Sequence, residues 1–396
     1  MKKFLVVLLL AIVLFTFEET QAEAFAQSKS EEEVQAEIGS EIEKYIESLD
    51  LNEFDRFLQS VDLPDGMQNT SVKGLISSFV EGKVPLSPQG FFSYLGEKAL
   101  GALSGTLVTL LTVVIIAVMS SILSGLTSGF VKKQTIDVVH FVFYALVVTI
   151  VMVKVASIIT ECKNFCLSVN KFSETIYPPL ITLMSALGGS VSTSIYKPQI
   201  AFFSVIISKV IGNVILPLFI ATIAFCLIGN LSSSIKMDKI QSAISYASTL
   251  IVSCVFGLFM TYLTIAGITG GMVDGVGIKA AKFVLSGYVP ILGGYLSQGF
   301  DLISAGCVLI KNSIGMIGII SVLIMIFKPL LHITIFSFSL KIVASLIQPL
   351  GDKRISDFLY SVSNATKILV TAVLGSGFVM ILTLILMVVT CNVGVL

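Results

Sequence analysis

Between Lys98 and Lys132 the chain carries no charged residue. Within that run, Leu103 to Leu126 is long enough to cross a bilayer, whose ~30 Å hydrocarbon core takes about 20 helical residues. Lipid offers the backbone no hydrogen-bond partners, so a stretch of this kind must be helical. Comparable runs follow at Val138–Ile159, Ile200–Ile228, Ala243–Ile268, Ile314–Phe327, Leu330–Leu350 and Ile368–Thr390. Of the 396 residues, 55% are hydrophobic and 13% charged; soluble domains carry about 25% charged residues. The expected fold is all-α, a polytopic helical membrane protein of six to eight spans.

The charges set an orientation. Lys2 and Lys3, the apolar segment Phe4 to Phe17 and the small residues at Ala22-Glu23-Ala24 read as a cleavable signal peptide over residues 1–24. From Phe25 to Gly66 there are twelve acids and three bases, and after Glu174 there is no Glu. Residues 25–100 read as an acidic, extracytoplasmic helical domain, with Phe54, Phe57, Leu58, Leu75 and Ile76 at helical spacing. Residues 101–396 form the membrane domain. Lys132-Lys133, Lys236 with Lys239, and Lys353-Arg354 mark three loops for the cytoplasmic side. An outer loop is expected over residues 161–175.

One stretch departs from plain apolarity. Asp274, Lys279, Lys282, Asp301 and Lys311 stand among apolar residues, with Pro290, Gly293 and Gly294 between them. Intramembrane charges mark a candidate polar path, and broken backbone must be buried in protein or line water. Further candidate helix breaks are Pro179, Pro217 and Pro329, with residues 176–194 expected as a re-entrant or broken segment. Residues 172–268 and 283–391 read as parallel repeats: Phe172, Tyr177 and Pro179 correspond to Phe283, Tyr288 and Pro290, and Pro217-Leu218 to Pro329-Leu330. Paired, interrupted segments of this kind point to a binding site or pathway in transporters.

Catalytic patterns are missing. The two histidines, His140 and His332, form no HExxH motif, and no GxxxxGK[ST] loop occurs. His332 reads as packed on an apolar face. Cys162 and Cys166 stand one helical turn apart and fit a pair, a metal half-site or packed thiols. No cofactor or enzymatic activity is expected. Only two Arg occur, without a clustered basic surface, which argues against nucleic acid as a partner.

Several segments together are similar to the stage III sporulation protein AE family of endospore-forming bacteria. They are Asp274-Gly275-Val276, Ala281-Lys282-Phe283, Pro290 and Lys311-Asn312 with Ile314-Gly315; Tyr177-Pro178-Pro179 to Gln199; Gly212-Asn213-Val214-Ile215-Leu216-Pro217-Leu218; and Leu346-Ile347-Gln348-Pro349-Leu350-Gly351. The resemblance implies a multi-pass protein of the mother-cell membrane around the forespore, its N-terminal domain in the intermembrane space. It implies membership of a channel complex that joins the two cells and supports late forespore development. The partners it implies are other membrane proteins of the stage III sporulation A operon, a mother-cell ATPase and a forespore-side membrane protein. The residues alone leave three roles open: a conduit or export-apparatus-like part, a secondary permease for a small solute, and a non-conducting scaffold for ring-forming partners.

Overall fold

The apolar runs join into helices far longer than a bilayer is thick. The computed structural model describes residues 46–47, 49–68, 70–83, 87–127, 133–231, 237–288, 293–350 and 353–392. Short helices α1 (Asn52–Ser60), α2 (Asp65–Gln68) and α3 (Val72–Val80) precede α4 (Pro88–Thr127) and α5 (Lys133–Ala186). After α6 (Ser190–Val205), a π-helical segment, Ile206–Ile215, leads into α7 (Leu216–Leu231). Then come α8 (Asp238–Tyr288), α9 (Gly293–Ile347), α10 (Lys353–Ala365) and α11 (Lys367–Val389). The 54 residues of α5 and the 55 of α9 each reach ~80 Å at 1.5 Å per residue. Among the described residues six stretches are long and apolar enough to cross a membrane: 88–123, 138–186, 209–231, 239–280, 303–347 and 353–389. The chain is an all-α polytopic membrane protein.

Three expected interruptions are continuous helix. Residues 161–175 belong to α5 rather than to a loop. Cys162, Phe165, Cys166, Val169, Phe172 and Ile176 recur at three- and four-residue spacing and are buried, with Lys163, Leu167, Lys171 and Glu174 facing out. The polarity that suggested a loop is one face of an amphipathic helix. Pro179 and Pro329 likewise lie inside α5 and α9, not at breaks. A proline deprives the carbonyl four residues back of its donor, and here close packing by neighbours holds the helix together: Tyr177 and Leu180 are wholly buried. The break expected within residues 176–194 falls eight to ten residues downstream of Pro179, at Leu187 to Gly189. Gly188 takes φ +82, and a Cβ on Gly189 would run into the Cys391 sulfur. Pro217 sits just after the π-helical segment, whose wide turns absorb the missing amide. Pro290 lies outside the described residues, and Gly293-Gly294 open α9.

Side-chain contacts fix relative heights. In the antiparallel pair α4–α5, Ser120 meets His140 at 3.4 Å and Lys154 reaches the Gly105 carbonyl at 3.4 Å. Tyr144 donates to the Leu227 carbonyl at 3.0 Å and packs edge-on against Phe358. The starts of α5 and α10 and the end of α7 therefore lie together at one end, the end carrying the basic turns. Both α6–α7 followed by α8, and α9 followed by α10–α11, run to that end and return. At mid-height the N-terminal helices dock. Phe54 and Phe57 pack on Phe172 of α5, with ring centroids 5.9 and 5.3 Å apart. Asp55 caps α3 through the Val72 amide at 2.7 Å. Asp62 pairs with Lys98 at 2.5 Å, and its carbonyl accepts from Tyr94 at 2.8 Å.

Candidate functional site

Two polar features stand out in this bundle. The first is a closed junction at the end opposite the basic turns. Asp274, nearly buried on α8, points at the start of α6, where its two oxygens accept from the amides of Val191 and Ser192 at 2.9 and 2.8 Å. The residue before this helix is Gly189, which has no side-chain cap to give. The carboxylate of another helix takes over that role, meeting unpaired N–H groups and the positive end of the helix dipole.

Lys311 of α9 is fully buried in the same region. Its ammonium donates to the Thr390 carbonyl and, at 2.9 Å, to the Asn392 side-chain oxygen. Tyr196 meets the Thr390 hydroxyl at 3.2 Å. Burial pushes the Cys391 thiol up to about 11, so it stays neutral and gives Lys311 no thiolate partner. The junction ties α6, α8, α9 and the end of α11 to one another. A shallow apolar cavity of about 440 Å³ lies beside it, walled by Gly267, Gly271, Met272, Lys279 and Val389.

The second feature is an open crevice at mid-height, about 660 Å³, lined by Asp62, Tyr94, Lys154, Glu161, Lys328 and His332. His332 Nδ1 lies 2.8 Å from a Glu161 oxygen, bridging α9 to α5 beneath the N-terminal helices. The other Glu161 oxygen has no hydrogen-bond partner.

Of the five charges expected to form a polar path, the structure brings two together. Asp274 and Lys311 share the junction, yet each is satisfied by other groups and they do not pair with each other. Lys279 is exposed at the edge of the apolar cavity. The side chains of Lys282 and Asp301 lie outside the described residues. His332 meets the Glu161 carboxylate rather than packing as a core histidine. A helical reading of residues 161–175 keeps Glu161 on α5, but its meeting with α9 carries no signal in the sequence. Cys162 and Cys166 are separate buried thiols on α5.

Comparison with known proteins follows from these positions. A family model described as "Stage III sporulation protein AE (spore_III_AE)" matches residues 70–392. A curated protein of Bacillus subtilis (strain 168), named "Stage III sporulation protein AE", is 23% identical over 359 residues, covering 89% of this chain and 88% of that protein. No solved structure matches.

Proposed function

Since the chain belongs to the stage III sporulation protein AE family, we propose that it is a membrane-embedded subunit of the complex joining mother cell and forespore, and that it supplies one wall of a conduit or export apparatus shared between subunits. The observation that carries this reading is height. Helices of ~80 Å exceed a ~30 Å hydrocarbon core by more than twofold. The N-terminal helices meet α5 from Glu161 to Phe172, at and beyond its midpoint, and the basic turns lie at one end. In this reading the half between the basic turns and the N-terminal helices is in the mother-cell membrane. The other half, with the Asp274–Lys311 junction, stands in the intermembrane space. Burial is uneven along the chain: the apolar stretches in 303–347 and 353–389 are 61% buried, against 28% in 88–123, 138–186 and 239–280.

The role is architectural rather than catalytic, and the partners are other proteins of the complex: membrane proteins of the same operon, a mother-cell ATPase that supplies energy, and a forespore-side membrane protein. One observation favours a non-conducting scaffold as the second reading. The polar junction is closed, and neither cavity among the described residues runs the length of the bundle.

Single cysteines in sporulating cells test the placement. A membrane-impermeant maleimide is expected to label exposed Ser194→Cys, near the junction, and to spare Leu111→Cys and Ile115→Cys on α4. Protection of position 194, or labelling of 111, overturns it.

A further inference from the structure

The bilayer-spanning half has two unlike sides at one height. On α4, Leu107, Val108, Leu111, Ile115 and Met119 are exposed in a stretch without a charge. This surface suits lipid. The pairing of Ser120 with His140 and of Gly105 with Lys154 sets Tyr144 level with Ile115. Tyr144 in turn touches Phe358 of α10. Helix α10 therefore lies level with the middle of the lipid-facing surface of α4.

Its outer face is nonetheless polar. Ile355, Phe358, Leu359, Val362 and Ala365 are buried against the bundle, and Ser356 donates inward to the Ala344 carbonyl at 2.9 Å. Asp357, Tyr360 and Lys367 are exposed and Asn364 is half-buried, so the polar positions recur every three to four residues along one face. Lys341 of α9 joins the stripe, its ammonium 6.0 Å from the Tyr360 ring. A lysine or aspartate facing hydrocarbon at mid-depth is strongly disfavoured. Lys341 and Asp357 at this depth, with Lys367 on the same stripe at the level of the crevice, are not a lipid surface.

We propose that the α10 stripe, Lys341, Asp357, Tyr360, Asn364 and Lys367, lines a water-filled path through the membrane, with α4 and α5 turned to lipid. This deepens the conduit reading and rests on it: the path lies against α10, between this chain and its neighbours in the complex, rather than inside the chain. Two lysines and one aspartate leave the lining positive, and exposed Lys353 adds to this at the mouth. A ring of such faces favours anionic solutes, as rings of lysine do in anion pores.

The test uses sporulating cells with the whole complex and a full-length chain whose exposed Cys254 is replaced by Ser. Tyr360→Cys and Asn364→Cys are expected to react with a charged, impermeant methanethiosulfonate about tenfold or more faster than Ile115→Cys, because a charged reagent reaches a thiol in water and is kept from one in lipid. An anionic reagent is expected to outpace a cationic one of the same size at position 364, and Lys341→Leu to narrow that preference. Protection of 360 and 364 equal to that of 115 overturns the path, whether lipid or a partner helix covers the stripe. Labelling of Ser194→Cys in the same cells separates the two claims. If 194 reacts and 360 does not, the placement stands and the path fails. Spin labels at the same positions, read by contact with oxygen and with a nickel chelate, keep the comparison interpretable if a variant assembles poorly.

Discussion

The junction around Lys311 and the crevice around Glu161 use similar chemistry to opposite ends. Each gathers an acid and a base from distant helices. In the junction every charge is answered by a neutral group: Asp274 by two amides, Lys311 by a carbonyl and an amide oxygen. In the crevice two titratable groups meet directly, His332 Nδ1 against one Glu161 oxygen, with the side chains 35% and 23% exposed, while the other Glu161 oxygen is buried without a partner. A buried charge is held only where fixed dipoles replace its hydration, whereas an exposed pair is worth little because solvent already competes for it. The junction is thus read as a lock among four helices, and the crevice as an adjustable contact.

The largest expected effect is at Lys311. Lys311→Ala removes the donor that answers the Thr390 carbonyl and leaves space where a long side chain was wholly buried. Unsatisfied acceptor and cavity together are expected to cost about 3 kcal/mol or more. Thermal unfolding in detergent, followed by circular dichroism, measures it. Lys311→Met keeps most of the volume and removes the cost of burying a charge, so it should lose clearly less than Ala. Equal losses would mean that the ammonium, not the packing, decides, and no loss in either variant would remove the lock from the comparison.

A smaller loss is expected from Asp274→Asn. The side-chain oxygen still accepts from one amide of the α6 start, but the negative charge at that helix end is gone and an NH₂ faces the other donor. The expected cost is about 1–2 kcal/mol, the range for a charge at a partly buried helix terminus. If Asn matched the native chain in the same melt, Asp274 would be a passive neighbour of the helix start and the junction would rest on Lys311 alone.

How much of this was legible in sequence divides along the same line. Charge-free runs such as Lys98–Lys132 gave the all-α membrane fold, because lipid leaves the backbone no alternative. Asp274 and Lys311 could be singled out as charges among apolar residues. Their partners could not, since backbone amides at 191 and 192 and a carbonyl at 390 carry no residue signature. Prolines misled. Pro179 and Pro329 sit inside helices whose neighbours support them, and the break falls at Gly188-Gly189, where positive φ and a close sulfur demand glycine. The meeting of Glu161 with His332 joins two helices 171 residues apart and carries no sequence pattern. The polar face of α10 was masked by the basic turn beside it: Lys353 and Arg354 drew the eye, and the periodic positions 357, 360, 364 and 367 followed too closely to stand apart.

The smallest expected effect belongs to the crevice, and it tests the comparison from the other side. Glu161→Gln keeps shape and a hydrogen-bond acceptor for His332 while removing the charge. For a solvent-reached pair the loss should stay below ~1 kcal/mol and shrink further when salt is raised, because screening already weakens the attraction. The melt that reads Lys311→Ala reads this variant too, at low and at high salt. The crevice is also where the N-terminal helices meet the bundle, through Asp62 and Lys98. A loss as large as that of Lys311→Ala, or one indifferent to salt, would place Glu161 among the buried, dipole-answered charges. The N-terminal helices would then be locked to the bundle rather than resting on it, and the contrast between the two sites would collapse into a single rigid frame.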